Sequence, residues 1–255
     1  MKTVQLRYAR IAGLALLLIC LSAGLSNDLI VAGDAATTAH NILTHERQFR
    51  VGVAGELFML NCDVLLAVAF YVFLKPVNAQ LALLGTFWRF ANALVQSIGV
   101  VVTLVALGYL HNAHYLTSFS PDQMQAMARQ LLEVHDTAME VGLVFFGLGA
   151  ATHAYLLWVS QYIPRALSGP YIAVTVVISA SCSAVIVFPT LDGIIYPWLI
   201  APDFFVELSV GLWLLLKGAS DPNGRPAAIL EGNYTGAPGN NGLPSAHAML
   251  IDGPR

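Results

Sequence analysis

Apolar residues run almost unbroken through six stretches of the chain, 8–27, 51–74, 81–108, 137–159, 169–188 and 196–216. A helix of about 20 residues crosses a bilayer's hydrocarbon core, and each stretch is close to that length or beyond it. The breaks between them are chemically sensible. Lys75-Pro76 closes the second stretch, Ile163-Pro164-Arg165 follows the fourth, and Phe188-Pro189 closes the fifth. The third is overlong for one perpendicular crossing and is expected to tilt or protrude. Two intervening segments read as amphipathic helices on one side of the membrane. Asp34 is placed to cap "DAATTAHNILTHERQF", and "SPDQ" at 120–123 is a capping box with proline at the first helical position, opening "MQAMARQLLEVH". From 220 onward the pattern changes to Gly, Pro and Asn, as in "GNYTGAPGNNG", and disorder is expected. The expected fold is therefore all-α: an integral membrane bundle of six transmembrane helices over 1–218, two outer-side amphipathic helices, and a disordered cytoplasmic tail over 219–255.

Composition strengthens this picture. The chain is 57% hydrophobic and only 11% charged, against about 25% charged in a soluble domain. A net charge of −3 gives no footing for nucleic acid, so the lipid bilayer is the expected partner; oligomeric state is not legible. Cys20, Cys62 and Cys182 each lie within an apolar run, which suits packing rather than a disulfide framework or zinc motif. The basic residues set an orientation. With the amino terminus inside, Lys2, Arg7, Arg10, Lys75, Arg165, Lys217, Arg225 and Arg255 face the cytoplasm, while Arg47, Arg50 and Arg129 face out. Eight against three favours two cytoplasmic termini. The opening "MKTVQLRYARIAGLALLLICLSAG" also has the basic front and apolar centre of a signal peptide, so the pattern alone leaves its retention open.

Several phrases occur together in a fixed order: "YARIAGLALLL", "GDAATTAHNI", "FRVGV", "YVFLKPVNAQLALLGTFWR", "GLVFFGLGA", "IPRALSG" and "ELSVGLWLLLKG". From Tyr8 to Gly218 the chain resembles the bacterial membrane family catalogued as domain of unknown function 4386. The resemblance implies a multi-span helical protein of a bacterial inner membrane that keeps its first hydrophobic segment. It implies no activity. The tail beyond Gly218 is longer than the resemblance leads one to expect.

Candidate chemistry lies in the polar residues at membrane depth, because a charge at the bilayer centre costs roughly 2.5–3.5 kcal/mol on insertion scales and needs a partner, a proton or a wet cavity. Glu56 and Asp63 are seven apart on the second span and share a face. Arg89 and Gln96 repeat that spacing on the third, with Asn92 close to the stripe; Asp136 and Glu140, then Asp203 and Glu207, are each four apart. At 1.5 Å per residue, Asp63 lies about 18 Å below the outer boundary and Arg89 about 12 Å above the inner one. In a core about 30 Å thick those are one level, so an Asp63–Arg89 ion pair is expected. It is open whether that pair is a clamp or a substrate-anion site in its resting state. Glu207 falls about 17 Å below the outer face, also near mid-depth. A candidate polar pocket thus comprises Glu56, Asp63, Arg89, Gln96, Glu140 and Glu207, with Asp203 and Glu140 equally readable as solvated interfacial acids.

Among the histidines, His40, His45, His111, His114 and His135 fall at the outer margin, and His153 reads as a hydrogen-bonded core residue. No metal site or cofactor motif is expected. There is no nucleotide-binding glycine pattern, no nucleophile elbow, no zinc spacing and no internal repeat. Three functions remain in competition. The leading one is binding or transport of a small solute, proton or cation through an acidic pocket open to the outer side. Next is a membrane enzyme acting on a lipid or isoprenoid, with a buried carboxyl as general acid. The third is a structural or regulatory subunit whose polar residues serve helix packing.

Overall fold

The structure, a computed structural model, describes residues 3–23, 31, 33–111 and 119–219, with only the backbone of 192–200 described. The expected disordered tail from 220 onward and His114 lie outside the described residues. Among the described residues seven α-helices follow one another: α1 (Thr3–Ala23), α2 (Ala35–Thr44), α3 (Glu46–Leu74), α4 (Ala79–Leu110), α5 (Pro121–Ser160), α6 (Arg165–Val187) and α7 (Asp192–Leu216). No strand occurs among the described residues. Five of these helices, α1 and α3 to α6, are long and apolar enough to cross a membrane.

The helix ends follow local chemistry. Asp34 caps α2 by accepting from the Thr37 amide at 2.8 Å, which holds its carboxyl below the usual range. At α5 both halves of the capping box form: Ser120 Oγ accepts from the Gln123 amide, and Gln123 Oε1 accepts from the Ser120 amide at 2.9 Å. The segment that this box opens is not a separate amphipathic helix. It runs straight into the fourth apolar stretch as one helix of 40 residues, because no proline or glycine interrupts the sequence between Asp122 and Val141. The polar stretch around Glu133–Glu140 marks a change of surroundings, not a helix end.

Helices α1, α3, α4, α5, α6 and α7 close into a ring in which each packs on its neighbours in sequence and α7 returns to α1. The short α2 lies against α5 and α3. Small residues set the closest approaches. A side chain at Gly13 of α1 would stand 2.6 Å from the Leu215 amide nitrogen and 2.7 Å from the Gly211 carbonyl of α7. Ala9, Ala12, Ala15 and Leu16 of α1 are fully buried, so the first hydrophobic segment occupies a full place in the ring.

Outward faces are apolar: on α4, Phe87, Leu94, Ile98 and Val101 recur at helical spacing and are all more than half exposed. Such a stripe is costly in water and natural in lipid. At one end of the ring Lys75, Arg165 and Lys217 lie over the rings of Tyr71, Trp158 and Trp213, with Lys217 only 4.2 Å from its indole. Basic groups seated on aromatic rings are common at membrane interfaces. Two apolar cores fill the ring. One packs Phe70, Phe73, Leu157 and Tyr171 toward that basic end, and the other packs Phe49, Val53, Leu107 and Leu132 toward the opposite end. On α3 they are represented by Leu66 and Leu60, and Asp63 stands between them.

Candidate functional site

Between the two cores lies a cavity of about 190 Å³ to which all six ring helices contribute. Its polar side begins with Arg89, which is completely buried. Arg89 Nε donates to Asp63 Oδ1 at 2.7 Å, and its guanidinium lies 4.8 Å from the centre of the Phe146 ring. Asn92 Nδ2 donates to the other Asp63 oxygen at 3.1 Å, and Gln96 Nε2 donates to Asn92 Oδ1 at 2.9 Å. On the far side Arg89 Nη1 makes a long bond of 3.5 Å to the Tyr171 hydroxyl, which itself donates to Glu207 Oε1 at 3.1 Å. Glu207 also faces Arg89 Nη2 across 3.6 Å. One hydrogen-bonded string thus runs from Gln96 on α4, through α3 and α6, to Glu207 on α7.

Asp63 satisfies both carboxylate oxygens within this string. Among the described residues seven buried side-chain atoms find no hydrogen-bond partner: Arg89 Nη2, Gln96 Oε1 and Asp203 Oδ1, and, away from this site, Thr103 Oγ1, both ring nitrogens of His153 and Trp213 Nε1. The first three belong to residues lining the same cavity. Unpaired buried polar atoms are rare, each costs roughly 1–3 kcal/mol, and they are commonly satisfied by something bound.

Of the residues expected in the pocket, Asp63, Arg89, Gln96 and Glu207 come together. Glu56 does not line the cavity. It pairs instead with His135, whose Nε2 lies 3.1 Å from Glu56 Oε1, while His135 Nδ1 lies 3.2 Å from Asp136. Glu140 is half-buried and is likewise absent from the lining. Asp203, readable from sequence as merely interfacial, does line it. Arg50 is taken up at the surface by Glu46 at 2.7 Å, leaving Arg89 as the one cation among the described lining residues. Of the remaining histidines, His40 is exposed and His111 pairs with Glu46. His153 is a core residue against Phe70, with neither ring nitrogen in hydrogen-bond geometry. The three cysteines are buried and in no disulfide. Tyr171, the link between Arg89 and Glu207, was not visible in the sequence: a lone tyrosine in an apolar run carries no periodic signal.

Two glycines of α5, seven residues apart, make room for the string. A side chain at Gly142 would meet Gln96 Cγ at 2.7 Å and Asn92 Oδ1 at 3.0 Å. One at Gly149 would meet Arg89 Cγ at 2.8 Å, the Gly85 carbonyl at 2.9 Å and the Arg89 amide at 3.0 Å. Side chains yield more readily than backbone. Gly149→Ala is therefore expected to lower the melting temperature more than Gly142→Ala, with a loss of about 1–3 kcal/mol as in other overpacked cores. Thermal unfolding of the two purified variants checks this, and a larger loss for Gly142→Ala would mean that the α4–α5 crossing is looser than described.

A ring of helices with apolar outer faces around a cavity that holds buried polar side chains defines a multi-span α-helical membrane protein. Its residues 11–218 match the family described as Domain of unknown function (DUF4386), and the chain belongs to that family. It is also similar to an uncharacterised protein of Archaeoglobus fulgidus, 24% identical over 167 residues, which are 65% of this chain and 83% of that protein. No solved structure matches it.

Proposed function

We propose that the protein binds a small solute, cation or proton in the cavity around Asp63, Arg89, Asp203 and Glu207, and that it passes this ligand toward or from the outer side of a cell membrane. The observation that carries this reading is the set of unpaired atoms on Arg89, Gln96 and Asp203, gathered at a single cavity. A purely structural clamp has no need of spare donors and acceptors gathered at one cavity, whereas the other unpaired atoms, on Thr103, His153 and Trp213, are scattered through the bundle. Native mass spectrometry of the full-length protein, released from detergent, tests the reading. Wild type should retain a bound small molecule or ions that the Asp203→Asn/Gln96→Leu variant loses. Identical spectra for both would sink it. A lipid that returns chemically altered after incubation would favour the enzyme reading instead.

The proposed topology has six spans, with α7 as the sixth, the first segment retained, and both termini cytoplasmic. Its support is the eight-to-three distribution of Lys and Arg and the seating of Lys75, Arg165 and Lys217 on aromatics at one end. Reporter fusions after Gly218 and within 111–118 are expected to report opposite sides of the membrane. The same side for both, or a mature protein beginning near Leu25, would overturn this topology.

A further inference from the structure

Resting on the reading of the cavity as a binding site, we infer that its ligand is a small organic cation, an ammonium group carried on an apolar body. Charge comes first. The lining holds three carboxyl groups, Asp63, Asp203 and Glu207, and one guanidinium, Arg89. Arg89 is committed to Asp63 at 2.7 Å and faces Glu207 at 3.6 Å, so Asp203 has no counter-charge of its own among the described lining residues.

Hydrogen-bonding capacity points the same way. The unpaired oxygens of Asp203 and Gln96 are both acceptors, and Gln96 is 97% buried, being only 3% exposed. An ammonium offers three donors and no acceptor, which is what two idle acceptors beside an excess of carboxyl groups require. Arg89 Nη2, which makes no hydrogen bond but faces Glu207 Oε1 at 3.6 Å, does not favour an anion in its place. A ligand carboxylate there would have to sit beside both Asp63 and Glu207, and like charges at such separations repel strongly where water is scarce.

The rest of the lining decides what carries the charge. It is mostly hydrocarbon, ring and sulfur, including Ile19, Met59, Leu143, Ile178 and Phe204. Such a surface cannot replace the water shell of an inorganic ion. Among the described residues, moreover, no three His, Cys, Asp or Glu side chains are arranged to hold a metal. A volume of about 190 Å³ corresponds to about six waters at roughly 30 Å³ each, which is room for a small amine and too much for a bare ion.

Three near-isosteric probes separate the possibilities: benzylamine, benzyl alcohol and benzoate, each titrated by calorimetry into the full-length protein in nanodiscs at neutral pH. Benzylamine should bind at least tenfold more tightly than benzyl alcohol, and benzoate should not bind measurably. Asp203→Asn should weaken benzylamine at least tenfold and leave benzyl alcohol unchanged. Its unliganded melting temperature should stay close to wild type, because the oxygen it alters is unpaired. Benzyl alcohol or benzoate binding as well as benzylamine would overturn the cation inference while leaving the cavity a binding site. An Asp203→Asn variant with unchanged benzylamine affinity would also overturn it. Binding of none of the three would remove both the inference and the binding-site reading.

Discussion

Asp63→Asn and Arg89→Gln will each destabilise the protein severely, and the double variant will be milder than the sum of the two. The pair is buried on every side, with Arg89 at 0% exposure and Asp63 at 4%. Removing one partner leaves a charge in a low-dielectric interior, which typically costs about 3–5 kcal/mol, whereas removing both leaves neutral groups of similar shape. The two losses are not expected to be equal. Without Arg89, three carboxyl groups face one another and protons can neutralise them. Without the Asp63 charge, Arg89 keeps Glu207 at 3.6 Å, a long bond to the Tyr171 hydroxyl at 3.5 Å and the Phe146 face, and a guanidinium does not give up its proton. Asp63→Asn is therefore expected to be the worse single change. Unfolding in detergent, followed by intrinsic fluorescence across the full cycle of variants, measures the coupling directly. Strictly additive losses would mean that the 2.7 Å contact contributes nothing, and that the two charges are stabilised separately.

That this pair was legible at all follows from depth. Helices of fixed rise between boundaries of fixed separation turn residue counts into levels, and Asp63 and Arg89 fell on one level from opposite ends. Level does not give azimuth. The same arithmetic placed Glu56 on the face of Asp63, yet seven residues amount to about 10 Å along the helix, far enough for a different neighbour to claim it. That neighbour is His135, which α5 brings alongside because Gly99 of α4 lets the imidazole approach: a side chain there would stand 3.1 Å from His135 Cδ2.

Asp203 shows the converse. One turn from Glu207 and near the outer mouth, it read as solvated, and only the closure of α7 onto α1 places it at the cavity. Tyr171 depends on the same closure, since its hydroxyl meets Glu207 only if α6 and α7 are neighbours. The order of helices around a ring is a property of packing, carried by scattered small residues such as Gly13, Gly147 and Gly211, and periodicity along one helix cannot report it.

Glu207→Gln will leave the fold nearly intact and abolish ligand binding. Glu207 is 4% exposed, and its Oε1 accepts the Tyr171 hydroxyl at 3.1 Å. Glutamine keeps the length of the side chain and a carbonyl oxygen for that bond, so the string from Gln96 to α7 retains its connections. Arg89 retains its closer partner, Asp63 at 2.7 Å, and loses only the weaker 3.6 Å interaction. The expected change in stability is within about 1 kcal/mol, the range of a mild substitution. Glu207→Leu, by contrast, strands the Tyr171 hydroxyl in a buried site and should cost about 1–3 kcal/mol more. Binding responds to a different quantity. Glutamine lowers the carboxyl groups around the cavity from three to two while Arg89 stays charged, and so halves the excess of carboxyl groups over guanidinium that favours the inferred cation. Calorimetric titration of Glu207→Gln with benzylamine, beside a melting curve of the same preparation, separates the two effects. A folded variant with at least a tenfold loss of affinity fits a ligand-facing Glu207. A variant that misfolds shows a carboxylate needed to hold Arg89, and a folded variant with undiminished affinity places Glu207 among the packing residues of α7.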